Sequence, residues 1–270
     1  MISDASTGQT IGIIGGGHLG RALALAFIGR GFPPGKILIS HGENPETAQE
    51  IRQAGLEHSL APNDTIGREA TIVFITVRPQ SFMPLQGLPF RKTSLIVSCM
   101  AGIPSELLRG VLGVPAIRIM PSGPETLLQC NGIVGMYPDD GLVRKLLSSL
   151  GQEVFIMHDD DEMNIFTAGV CLPSVIIAAR MKGQDTDKEI EPVIFEYPIV
   201  ARIYDWAKKA VPQPLSPEGQ DEYIRRMSTK GGITEIIVTR IRTGATLLEA
   251  FHAGIDRSRA ISEESRHAFG

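Results

Sequence analysis

The chain has 270 residues, enough for two ordinary domains, with 43% hydrophobic and 21% charged residues, as in a soluble globular protein. Its formal charge of -4 and scattered Lys and Arg exclude the global positive field of a nucleic-acid or anionic-membrane binder. Cys99, Cys130 and Cys171 lie far apart with no Cys-x-x-Cys spacing. Neither a disulfide framework nor a metal site is expected, and a cytoplasmic location is the default. Met1 to Thr10 is short and polar, unlike a secretory leader, and no apolar stretch reaches the length of a membrane span.

Ile11 to Ile14 is a short apolar run ending in glycines and reads as a buried strand. Arg21 to Gly29 is rich in helix formers, and Gly31 to Gly35 breaks the chain. A strand is expected at Ile37–Ser40 and a helix at Pro45–Ala54. Further strands are expected at Thr71–Val77, stopped by Pro79, and at Ser94–Ser98. Ser105–Leu112 reads as a helix with Pro104 at its first position. Ala116–Met120 is a strand stopped by Pro121. Ile133–Tyr137 and Val154–Met157 are the last strands, with a helix at Leu142–Leu150 between them. Strands alternating with helices at this spacing predict an α/β Rossmann domain with a mainly parallel sheet over 1–158. Past Asp159-Asp160-Asp161-Glu162 the patterns are helical only: Asn164–Lys182, Glu189–Ala210, Pro217–Met227 and Ile233–Arg259. An all-α domain over 159–270 is expected.

Gly15-Gly16-Gly17-His18-Leu19-Gly20 follows the first strand and opens the first helix. In a Rossmann unit Gly15 permits the tight turn, Gly17 lets a pyrophosphate approach the backbone, and Gly20 lets helix pack on strand. Free N–H groups at the helix start face the phosphates. At the end of the second strand, where an acidic residue would bind the ribose of NAD, the chain has Ser40, followed by His41, Gly42, Glu43 and Asn44. Ser40, His41 and Asn44 can donate to a 2′-phosphate, which points to NADP, with NAD as the alternative.

Several further motifs carry a resemblance. Ile11 to Gly31, Val77-Arg78-Pro79-Gln80, Ser98-Cys99-Met100-Ala101-Gly102, Arg118-Ile119-Met120-Pro121 and Ser228-Thr229-Lys230-Gly231-Gly232-Ile233-Thr234 occur in that order. In order and spacing they resemble the pyrroline-5-carboxylate reductase family, which reduces a cyclic imine with NAD(P)H. The resemblance implies that Val77, Arg78, Pro79, Ala101 and Asn63 contact the cofactor alongside Gly15, Gly17, His18, Leu19, Gly20 and Ser40. It implies a helical dimerisation domain, a homodimer, and an active site between subunits. It also makes Thr234 the residue beside the reacting imine.

The substrate implied is a small molecule bearing a carboxylate. If Gly231, Gly232, Ile233 and Thr234 begin a long helix, their N–H groups and the helix dipole suit that carboxylate. The bland alternative for the same residues is a glycine turn with a threonine cap. Imine reduction requires no metal, and the chain shows no metal-ligand cluster. The chain departs from the family at Ser122-Gly123-Pro124, where Asn-Thr-Pro is usual. It departs again at Gly169 to Val175, where small polar residues have become apolar around Pro173. Ser122 and Pro173 are retained as substrate contacts. The Lys-Gly-Gly-Ile-Thr loop resembles a divergent branch, the competence-operon reductase-like proteins. Two other classes share parts of this pattern. One is a non-catalytic dinucleotide-binding protein of the same fold. The other is a 3-hydroxyacid dehydrogenase, which needs a lysine that Asn164 to Arg180 lacks.

Overall fold

The computed structural model describes residues 8–42, 44–212 and 216–269. The leader assessment before Gly8 and the contribution of Glu43 lie outside the described residues. The chain divides into two compact units, one reaching Asp160 and including Ser265–Gly270, the other Asp161–Glu264.

The first unit is built on seven strands: β1 (Ile11–Ile14), β2 (Ile37–Ile39), β3 (Ile72–Ile75), β4 (Leu95–Ser98), β5 (Ala116–Pro121), β6 (Ile133–Tyr137) and β7 (Glu153–Ile156). They form one sheet in the order β2-β1-β3-β4-β5-β6-β7. All neighbours run parallel except β5 and β6. The helices are α1 (His18–Gly29), α2 (Pro45–Gln53), α3 (Asn63–Glu69), α4 (Ser105–Leu112), α5 (Pro124–Leu128) and α6 (Gly141–Ser149). Strands β1 and β3 are buried at every residue, the continuous apolar run that a parallel sheet covered on both faces requires. Alternate residues feed two cores. Ile11, Ile13, Phe27 and Phe74 lie in one; Ile14, Val73, Ile75 and Leu108 lie in the other. The order reverses at β1, with β2 on one side and β3 on the other, which creates a topological switch point.

The link from β5 to β6 holds only α5. It is short for a parallel crossover, and the pair is antiparallel. Pro121 does not stop β5 but is its last residue, and pairing continues at the Ser122 N–H, which donates to the Ile133 carbonyl (2.9 Å). Pro104 sits one position earlier than expected, as the N-cap of α4. Helices α3 and α5 had no counterpart in the sequence expectations. Asn44 and Asp140 cap α2 and α6 through side-chain oxygens that accept two backbone N–H groups each.

From Asp160 onward the described residues form helices only: α7 (Asp160–Gly169), α8 (Leu172–Met181), α9 (Thr186–Glu189), α10 (Glu191–Glu196), α11 (Val200–Ala210), α12 (Pro217–Met227), α13 (Ile233–Arg242) and α14 (Leu247–Phe269). Three expected long helices are broken. The first breaks ahead of Pro173, the second around Pro192 and Pro198, and the third at Gly244, whose φ is +94°. Helix α8 is the centre of the second unit. Leu172 to Ala179 are all buried, and α11, α12 and α13 pack against it. Among the described residues no single helix is long and apolar enough to cross a membrane.

Candidate functional site

The glycine turn stands at the carboxyl end of β1, at the switch point, and neighbouring residues lock it. The Ser40 N–H donates to the Ile13 carbonyl (2.9 Å). The Ser40 carbonyl accepts the Gly16 N–H (2.6 Å) and its hydroxyl accepts the Gly15 N–H (3.2 Å). From β3, the Thr76 hydroxyl donates to the Gly15 carbonyl (2.6 Å). Arg21 on α1 donates to the Gly16 carbonyl (2.9 Å) and pairs with Glu50 (2.6 Å).

Three glycines are required by this packing, among them Gly16, where a Cβ would stand 2.8 Å from the Ser40 carbonyl oxygen. Gly15 has φ +108°, and a Cβ on Gly20 would stand 2.1 Å from the Gly15 carbonyl oxygen. Gly17 differs, because a Cβ there would meet nothing within 4 Å. No neighbour demands a glycine at this helix N-cap, and its face is open, as a close-approaching phosphate needs. His18, the first residue of α1, is exposed and faces Glu125 of α5 at 3.8 Å. Leu19 turns inward and packs against the core.

A cleft of about 640 Å³ opens between the end of β2 and the start of α3, lined by Ser40, His41, Gly42, Asn63 and Asp64 among others. His41 Nδ1 and Asn63 Oδ1 are buried in it with no hydrogen-bond partner. Buried polar atoms are normally satisfied, so two orphans in one cleft beside an open phosphate turn fit the ribose and base of a dinucleotide. Ser40 lines the cleft and keeps its hydroxyl proton, although the same oxygen also braces the glycine turn. It is 2% exposed, and its hydroxyl is engaged by Gly15.

Val77 and Ala101 follow β3 and β4 at the same sheet edge as the turn. Val77 packs under Gly15. Ala101 is half-buried in the turn before Gly102 (φ +71°). Arg78 is exposed, and Pro79 opens a single 3-10 turn. Ser122 follows β5 but is held by its own loop. The Thr126 hydroxyl donates to the Gly123 carbonyl (3.0 Å), so Ser122 donates to Thr126 (2.8 Å) while accepting the Ile133 N–H (3.1 Å). Its one proton is spent.

The remaining predicted residues lie in the second unit. Gly231 (φ +70°) makes the turn, and Gly232 is the N-cap of α13, where Ile233 and Thr234 are the first two residues. The amides of Ile233 and Thr234 have no partner among the described residues. The Gly231 N–H is already taken by the Glu235 carboxylate (2.6 Å), and its carbonyl accepts from Arg257 (2.7 Å). The expected anion site is thus partly filled by the chain's own carboxylate. The Thr234 hydroxyl donates to Cys171 Sγ (3.2 Å). Pro173 is buried at the start of α8 and acts on backbone direction. Burial pushes the Cys99 thiol far up, which marks it as inert.

Sequence reasoning missed Thr76, Arg21, Cys171 as a partner of Thr234, and Glu235. Only Glu235 left a usable signal, an acid in the first turn of a predicted helix. It also missed the ion pair between Arg118 of β5 and Asp160, whose carboxylate accepts the Ser105 N–H as well (3.2 Å).

The sheet order, the switch-point turn and the open helix start define the class: a Rossmann frame with a dinucleotide-binding turn. A family model described as NADP oxidoreductase, coenzyme F420-dependent, matches residues 10–102. Pyrroline-5-carboxylate reductases from Corynebacterium melassecola and Pisum sativum are 28% and 27% identical, over 56% and 54% of this chain and 60% and 57% of their own. The chain therefore spans less than two thirds of the curated relatives it matches. Among solved structures, the Plasmodium falciparum pyrroline carboxylate reductase with NADP bound aligns over 95% of this chain and 99% of its own, with 17% identity and a TM-score of 0.60. Prephenate dehydrogenase from A. aeolicus aligns over 97% and 86% with a TM-score of 0.52 and 15% identity, a likeness of fold alone. Over these stretches the chain is similar to pyrroline-5-carboxylate reductases, and it shares their fold.

Proposed function

We propose that the protein is an NADPH-dependent reductase of a cyclic imine carboxylate, with pyrroline-5-carboxylate as the first substrate to test. The observation that carries this is the cradle at Gly15–Gly20, locked by Ser40, Thr76 and Arg21 and left open at Gly17. The dinucleotide, when bound, supplies hydride to an electrophilic C=N carbon. The chain's own residues bind and orient. The first amides of α1 receive the pyrophosphate, and His41 and Asn63 take the ribose and base. The absence of a carboxylate at Ser40 and the NADP in the Plasmodium relative support NADPH over NADH.

The amides of Ile233 and Thr234 are the remaining donors for a substrate carboxylate, and the Thr234 hydroxyl oxygen stands beside them. A homodimer working in the cytoplasm belongs to the same proposal. It is supported by the similarity to these reductases and by the three unpaired thiols, which suit a reducing compartment.

The test is steady-state oxidation of NADPH with pyrroline-5-carboxylate, beside calorimetric titration of NADPH and NADH. Turnover that Thr234→Val slows, with NADPH affinity intact, supports the assignment. Equal loss of cofactor binding removes Thr234 from the substrate side. Tight NADPH binding with no turnover on any cyclic imine refutes the reductase and leaves a dinucleotide-binding regulator. The short hydroxyl of Ser122, spent inside its own loop, is the observation that keeps this second reading alive.

A further inference from the structure

At the start of α8 a short relay of hydrogen bonds reaches the candidate substrate residue. The Cys171 S–H donates to the Thr167 carbonyl (3.4 Å), and the Thr234 hydroxyl meets the same sulfur at 3.2 Å. A carbonyl can only accept, so the single thiol proton lies on the Thr167 side. The contact with Thr234 therefore has the hydroxyl as donor and the sulfur as acceptor. Cys171 is 9% exposed, and burial pushes its thiol up to about 11, so the proton that sets this direction is present at neutral pH. Thr234 is left with its proton turned onto sulfur and its lone pairs unused among the described residues. It can accept from a ligand but has no proton to give.

We propose that Cys171 is a positioning residue that fixes Thr234 as a hydrogen-bond acceptor, so that the group read there is a donor, the N–H of a protonated imine, and not a carboxylate or a neutral imine nitrogen. This rests on the start of α13 being the substrate side. Two further features agree with it. Glu235 already occupies the Gly231 amide, so a substrate carboxylate is left the Ile233 and Thr234 amides and the Thr234 hydroxyl oxygen is left for a donor. The sulfur is a weak acceptor, so the hydroxyl is oriented without being tied up strongly.

The relay is tested first by spectroscopy. The Raman S–H stretching band of Cys171 is isolated as wild type minus Cys171→Ser. Losing the incoming hydroxyl in Thr234→Val weakens the outgoing hydrogen bond from the thiol to the Thr167 carbonyl, so the S–H stretching band moves to higher frequency. An unmoved band overturns the proposal, whether or not the protein turns over any imine.

The second arm uses NADPH and pyrroline-5-carboxylate. Cys171→Ala frees the Thr234 hydroxyl and lowers kcat/KM about three- to tenfold, the worth of one ordinary hydrogen bond. Cys171→Ser, which keeps both donor and acceptor, restores it, and NADPH affinity stays constant in both. Equal loss in Ala and Ser variants means that Cys171 only fills space, and no loss in either means that it does not orient Thr234; each outcome overturns the proposal. If wild type turns over no imine, the reductase assignment fails, and the band shift alone decides the relay.

Discussion

Replacing Asp160 by Asn tests whether the first unit relies on a charge hidden in its sheet. The Arg118 side chain on β5 is 3% exposed, and two of its guanidinium nitrogens, Nε and Nη2, have no partner. Its counter-charge is Asp160, whose side chain is 35% exposed. Burial pulls the Arg118 guanidinium below its usual value, and Asp160 opposes the shift. Breaking a buried pair on one side typically costs about 3–5 kcal/mol, because the other charge is left uncompensated. Water reaches Asp160, so we take a value below that range, about 2–3 kcal/mol for Asp160→Asn. Arg118→Met leaves a carboxylate that is still hydrated and still accepts from the Ser105 N–H and hydroxyl, at 3.2 and 3.3 Å. It should cost about 1 kcal/mol or less, and the double variant should be more stable than Asp160→Asn alone. Hydrogen exchange of the β5 amides is the assay, since it reports this unit by itself. At 1.4 kcal/mol per factor of ten, Asp160→Asn should lower their protection roughly 30- to 150-fold. Protection within about fivefold of wild type, or a larger loss in Arg118→Met than in Asp160→Asn, would refute the reasoning.

Three further outcomes are expected. Ser40→Ala removes the acceptor of the Gly15 N–H and should weaken NADPH and NADH alike by about three- to tenfold in calorimetric titration; a changed NADPH/NADH ratio would make Ser40 the reader of the 2′-group. Glu235→Ala frees the Gly231 amide and should lower KM for a carboxylate-bearing imine several-fold, while removing a first-turn acid costs about 0.5–1 kcal/mol of stability; an unchanged or raised KM argues that Glu235 is no competitor of the substrate. Asp161 is held below its ordinary value near 3.8, chiefly by hydrogen bonds from Arg259, both at 2.8 Å. A depressed carboxylate stabilises above its unfolded pKa, and that contribution is lost as the pH falls below about 4. Asp161→Asn should therefore flatten the acid limb of the second unit's stability, read by Trp206 fluorescence, by less than about 1 kcal/mol because the pair is exposed; an acid limb as steep as wild type would remove Asp161 from it.

How far the site could be read from sequence depended on whether backbone or side chains build it. The glycine turn was legible because its requirements are steric. A Cβ at Gly20 collides with the Gly15 carbonyl, so the residue type records the geometry. The strands of the first unit were legible for a related reason, since a doubly covered parallel sheet needs unbroken apolar runs such as Ile72–Ile75. The helical unit was less so. Its apolar patterns run on through Pro173, Pro198 and Gly244, and only the local backbone decides that each long pattern becomes two or more helices.

Side-chain roles were the least legible, because a hydroxyl's use depends on neighbours distant in sequence. Ser40 and Ser122 were expected to face a ligand for the same reason: each is a small donor at a strand end. One is engaged by a residue 25 positions away and the other by residues 4 and 11 positions away. Thr234 is engaged by a residue 63 positions away, and that contact uses its proton and none of its lone pairs. The contrast follows from proton count. A hydroxyl whose proton and an acceptor site are both used by the fold, as in Ser122, has little left for a ligand. One that spends only its proton, as in Thr234, becomes a directed acceptor. If the start of α13 is the substrate side, the group read there is set by the proton that Thr234 has already given to Cys171.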